Sequence, residues 1–170
     1  MVALKVEDVR AFTSKLFVKE DFDGFLVKEI TIVTFNSFTI DGHIKQGYYS
    51  EEELEEKQIG DFSSWKMLKP ICFSLIKGKK LPGSFHIVLC LSSHDVEQFA
   101  GKSGTGIASG QIQGLYLNIR YEDGALYCVT GTSLNFFTLD KTLETEWDNA
   151  VRYFMRSHEI VCTCEDEGPR

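Results

Sequence analysis

Residues 115–130 read LYLNIRYEDGALYCVT, and this stretch decides the fold. Leu115, Leu117, Ile119 and Tyr121 alternate with Tyr116, Asn118 and Arg120, the period-two pattern of a strand with one apolar face. Asp123–Gly124 is the residue pair that a tight hairpin turn favours, because both positions must tolerate positive φ. Folding the chain there sets Tyr121 opposite Leu126, Ile119 opposite Cys128 and Leu117 opposite Thr130. That face points inward. The other face carries Tyr116, Asn118, Arg120, Tyr127 and Val129.

Downstream of the hairpin the period changes. Leu143, Trp147, Ala150, Val151, Phe154 and His158 recur at helical steps, with Asp140 as N-cap and an Asp148/Arg152 pair one turn apart. Upstream, Ser84–Leu91 is apolar on both faces except at His86, which predicts a central strand. Phe25–Phe35 reads as an interior strand. A half-buried strand with Phe38, Ile40 and Ile44 on one side follows it, with Asp41–Gly42 as a bulge or a competing turn. Val6, Val9, Phe12 and Leu16 predict a first helix over about residues 6–17. Ser50 and Glu53 form a capping box for a short acidic helix from Glu51. A further helix is expected between Trp65 and Lys77, opened or kinked by Pro70. Ser93 caps one or two turns ending at Phe99.

Hairpins followed by helices, without regular βαβ alternation, define an α+β class. The expected architecture is a mainly antiparallel sheet of about five to six strands. A long C-terminal amphipathic helix packs on one face, laying Trp147, Val151 and Phe154 across it, and short helices lie between strands. The 170 residues make one domain over 1–160 and an acidic, flexible tail over 161–170.

Acids outnumber bases 25 to 18, which disfavours general nucleic-acid binding. The longest apolar run is Ile87–Leu91, far short of a bilayer span, and no basic-then-apolar leader opens the chain. Five cysteines are an odd number, and Cys72, Cys90 and Cys128 sit among apolar neighbours. They point to a reducing compartment, the cytoplasm. No nucleic-acid or membrane partner is expected.

Four features bear on chemistry. Gly101–Gly106 reads GKSGTG, and Lys102, Ser103 and Thr105 could hold phosphate. Val96 stands where a P-loop needs its first glycine, and Ser109 breaks a dinucleotide fingerprint, so a mobile surface loop is the competing reading. From Phe62 to His94 there is no Asp or Glu, while Lys66, Lys69, Lys77, Lys79 and Lys80 fall in the same window. Lys77, Lys79 and Lys80 could attract an anion, or offset a helix dipole, or face the acidic Glu51–Glu56 helix. Tyr116, Asn118, Arg120 and Tyr127 have the composition of a recognition face, or else pack as ordinary cross-strand neighbours. His158, Cys162 and Cys164 have soft-ligand chemistry but lack a fourth ligand, so no metal site is expected. No catalytic residue and no cofactor is expected.

The stretches LIKGKKLPGSFHIVL, LYLNIRYEDGALYCVTGTSLNFF and LETEWDNAV resemble a bacterial family of unknown function over most of the chain. The resemblance implies a bacterial, cytosolic single-domain protein and transfers no activity. The residues themselves point to a non-catalytic binding module for an anionic small molecule or an acidic protein. The alternative is a small enzyme that takes a phosphorylated or nucleotide substrate on Gly101–Gly106. A third reading encloses an apolar ligand between the long helix and the sheet. A shared concave pocket for Gly101–Gly106 and Lys77–Lys80 would favour the enzyme.

Overall fold

In the computed structural model, residues 1–78 and 80–165 are described. The strands are β1 (Ala3–Val6), β2 (Leu26–Val33), β3 (Ser37–Asp41), β4 (Ser84–Cys90), β5 (Ile112–Glu122), β6 (Ala125–Leu134) and β7 (Cys162–Glu165). The helices are α1 (Val9–Phe17), α2 (Glu51–Glu56), α3 (Trp65–Ile76), α4 (Ser93–Ser103) and α5 (Thr142–Ser157). One antiparallel sheet holds all seven strands in the order β3-β2-β4-β5-β6-β1-β7.

The β5–β6 hairpin has the expected register, with Tyr121 opposite Leu126, Ile119 opposite Cys128 and Leu117 opposite Thr130. Asp123 and Gly124 both take positive φ, as the two-residue turn requires. Leu115, Leu117, Ile119, Leu126 and Cys128 are fully buried. Alternate residues of β2 and β4 (Ile30, Ile32, Phe85, Ile87, Leu89) continue the same face. Buried residues of α1, α3, α4 and α5 join them in one core. Along α5, Leu143, Trp147, Val151 and Met155 are the buried residues. Phe154 is half-buried, with its ring tilted against Phe22 and edge-on to Phe25.

The sheet exceeds the expected five to six strands because two short ones carry little local signal. β1 occupies the start of what reads as the first helix, so α1 begins later, with Asp8 as its N-cap. Ala3 pairs with Val129, and Leu4 pairs with Cys164 across the other edge. Residues 162–165 therefore belong to the sheet, where the sequence suggests a tail; the remainder of that tail lies outside the described residues. Pro70 sits inside α3 rather than at its first turn, and Ser64 caps that helix by accepting from the Met67 N–H. Ser92, not Ser93, caps α4, which runs on to Ser103. Lys141 holds the N-cap position of α5, while Asp140 accepts from the Thr142 N–H beside it.

The face of the sheet away from the core stays accessible. Thr31, His86, Val88, Asn118, Tyr127 and Val129 are partly exposed there, and Lys5, Glu29 and Arg120 are exposed.

Candidate functional site: an open sheet face and the groove at its end

The register places His86, Arg120 and Tyr127 in one row across β4, β5 and β6. Val88, Asn118 and Val129 form the next row, and Cys90, Tyr116 and Gly131 the one after. The alternation of β5 thus puts Tyr116, Asn118 and Arg120 on one face, and the hairpin turn brings Tyr127 beside Arg120. The structure gathers these four residues as a cluster. His86 Nε2 donates to Asn118 Oδ1 (3.3 Å), and Asn118 Nδ2 donates to the Val129 carbonyl (3.2 Å). Burial pushes the His86 imidazole below its ordinary pKa, the Asn118 hydrogen bond opposes this, and the Arg120 charge adds to the depression. Arg120 has no carboxylate partner among the described residues.

Lys28 joins the cluster through a bulge. The pairing of β2 with β4 slips between Val27 and Glu29, so Lys28 is the extra residue. Its ammonium lies 4.6 Å from the centre of the Tyr116 ring, within cation–π range. The sequence carries a signal for this: Lys28 and Glu29 are consecutive charged residues in a strand that is apolar elsewhere except at Thr31.

Tyr116 also marks the mouth of a groove of about 1090 Å³ at the end of the sheet. Leu26, Cys90 and Gly114 contribute from the strands. Residues 57–64 and the first turn of α4 supply the walls. Gly114 leaves room for that ring, because a Cβ would sit 2.2 Å from the Tyr116 hydroxyl. The Ser64 and Ser92 caps of α3 and α4 both border this space. The groove mixes apolar walls with Lys57, Asp61, His94 and Glu97. Burial pushes the Cys90 thiol up to about 11, so it is a protonated lining group and not a thiolate nucleophile at neutral pH.

The other candidates fall elsewhere. Lys102 and Ser103 lie in the last turn of α4, and the left-handed Gly104 ends that helix, so the first half of the glycine stretch is helix and not loop. Ser103 Oγ donates to the Ala100 carbonyl, and Thr105 Oγ1 accepts from the Ile107 N–H. Gly101–Gly106 borders neither this groove nor the cleft of about 180 Å³ beside Phe137. Lys77 and Lys80 are exposed past the end of α3, and neither lines the groove; Lys79 lies outside the described residues. Lys69 is committed to Asp23 (2.6 Å) and the Lys19 carbonyl (2.9 Å). Among the described residues, no ion pair joins these lysines to Glu51–Glu56, whose one partner is Lys57 at Glu53. His158 Nδ1 pairs with Asp21 Oδ1 (2.9 Å), while Cys164 receives the Arg152 guanidinium. Among the described residues, no three His, Cys, Asp or Glu side chains gather as a metal-ligand set, and no helix is long and apolar enough to cross a membrane.

The chain belongs to DUF5721, a family of unknown function, which it matches over residues 15–162. No curated protein and no solved structure matches it.

Proposed function

We propose that this protein is a non-catalytic binding module that holds an anionic ligand on the open sheet face, with the adjoining groove taking the rest of the ligand. One observation carries the reading: Arg120 stands without an ion-pair partner among the described residues, flanked across the strands by His86 and Tyr127. An unpaired guanidinium beside aromatic and imidazole rings suits a carboxylate or phosphate, which it can meet with two parallel hydrogen bonds. Tyr116 lies four residues along the same strand, about 14 Å from Arg120 at ~3.4 Å per residue. A ligand of that length would fill the groove with its apolar part and set its charge on Arg120. The groove volume lies near the upper end of small-molecule sites. The reading includes a bacterial cytoplasm as its location, supported by five cysteines that form no disulfide.

The alternative, an enzyme holding phosphate on Gly101–Gly106, draws no support from side chains already bonded to their own backbone. An apolar ligand between α5 and the sheet would have to displace Leu143, Trp147, Val151 and Met155.

Thermal unfolding against a panel of dicarboxylates, nucleotides and phosphosugars tests the proposal. A ligand at a hundred times its dissociation constant adds roughly 2.7 kcal/mol, a rise of several degrees in Tm. The rise is expected for the native chain and not for Arg120→Ala. An equal rise in both, or none with any anion, removes the proposal.

A further inference from the structure

We propose that two copies of this chain pair by exchanging helices, the acidic α2 of each lying against the lysine-flanked, apolar side of α3 on the other. The exposed side of α3 is unusually apolar for a surface helix. Met67 is 50%, Ile71 52% and Phe73 39% exposed, and Leu81 just beyond is 84% exposed. On a helical projection Phe73, Pro70, Met67 and Ile71 share one arc, with Lys66 and Lys77 set into it and Lys80 past its end. Lys66, Lys77 and Lys80 have no carboxylate partner among the described residues. The 33 residues from Phe62 to His94 contain no acid that could supply one locally.

The complementary surface is on the same chain. α2 carries Glu51, Glu52, Glu53, Glu55 and Glu56, buries none of its residues, and is preceded by Tyr48 at 77% exposure. Among the described residues only Glu53 has a cation, Lys57 at 3.9 Å. Surfaces of opposite sign that do not pair within one molecule gain by pairing between two. A two-fold axis makes the exchange twice and closes the assembly, because each copy presents the same two helices. Exposed Met67, Ile71 and Tyr48 supply apolar contact that charge alone would not. The open sheet face carries none of the pairing residues, and Met67 alone of them also lines the adjoining groove. The mass measurement reads the pairing and the Arg120→Ala comparison reads the ligand site, so either can fail without the other.

Light scattering on the full chain tests it. At low ionic strength the mass should approach twice 19.3 kDa. At ~0.5 M salt, where screening acts within a few ångströms, it should return to the monomer value. Lys77→Glu with Lys80→Glu, and separately Glu52→Lys with Glu55→Lys, should each give a monomer at low salt. Mixing the two variants should restore the dimer, since each then offers the charge the other lacks. A monomer under all conditions, a dimer that survives either pair of substitutions, or no recovery on mixing would overturn the proposal. Unchanged far-UV circular dichroism in both variants separates lost pairing from lost folding.

Discussion

Trp147 Nε1 donates to the Tyr116 carbonyl at 2.9 Å, so the helix on the covered face of the sheet holds the backbone of the residue whose ring stands at the groove. Trp147 is also edge-on to Phe99 of α4, with ring centroids 5.7 Å apart. One indole therefore joins α5, α4 and β5, and it links packing of the core to the geometry of the candidate site.

Trp147→Phe keeps an aromatic ring but removes the donor and part of the buried volume. It should destabilise the fold by roughly 1–3 kcal/mol in urea unfolding, combining a lost hydrogen bond with incomplete filling. A loss below ~0.5 kcal/mol would show that the bond to Tyr116 is not structurally important.

Gly114→Ala places a methyl group 2.3 Å from Cζ of Tyr116, so the ring must swing away from Gly114 and from Lys28. The ring, not the backbone, is what gives. Affinity for an anionic ligand of the groove should fall about as far as in Tyr116→Ala, while Tm changes by only a few degrees. Full retention of affinity would mean that Tyr116 does not contribute to the site.

Thr130 is 1% exposed on the inward face of β6, and its hydroxyl accepts from the Val2 N–H (2.8 Å) and donates to Asp148 Oδ1. It ties the first residues of the chain and α5 to the sheet. Thr130→Val preserves shape but leaves the buried Val2 N–H without its acceptor and leaves Asp148 with the Met1 ammonium alone, a cost of roughly 1–3 kcal/mol. Amide hydrogen exchange at Ala3 and Leu4 should accelerate in the variant. Unchanged exchange there would show that β1 is held by its ladder bonds alone.

His86 sets a pH dependence. Burial holds its pKa below 6.5 in the native protein, so the unfolded chain binds the proton more tightly. The stability that neutral His86 contributes is complete above about 6.5 and is lost as pH falls through the lower native value. Urea unfolding of the native chain should therefore weaken between about pH 7 and pH 5 more steeply than that of His86→Gln, which keeps a donor for Asn118. Identical slopes would remove His86 as the cause. An anion seated on Arg120 should raise the His86 pKa, and ligand binding should then take up protons.

The hairpin, the α2 capping box and most helices were legible because their determinants are local. Asp123–Gly124 sets the register of β5 on β6 by itself, and Ser50 with Glu53 closes its box within four residues. Tyr116, Asn118, Arg120 and Tyr127 followed from that register, since alternation alone assigns a face. β1 and β7 were not legible. Each has four residues, and their pairings join Leu4 to Cys128 and to Cys164, far apart in the chain. Lys28 escaped because a bulge breaks the alternation on which the argument ran.

Residue chemistry and spacing by themselves determined the class of the fold, the covered and open faces of its central hairpin and the segregation of acids from lysines. Those are properties of neighbours a few positions apart. Only the tertiary structure decided that Leu26, residues 57–64, Cys90 and Gly114 meet around Tyr116. The same holds for Trp147 reaching its carbonyl and for the glycine stretch being drawn into α4. The physical reason is burial: once α5 and α3 cover one face of the sheet, packing of distant segments chooses which loops converge at its end, and no local pattern encodes that choice.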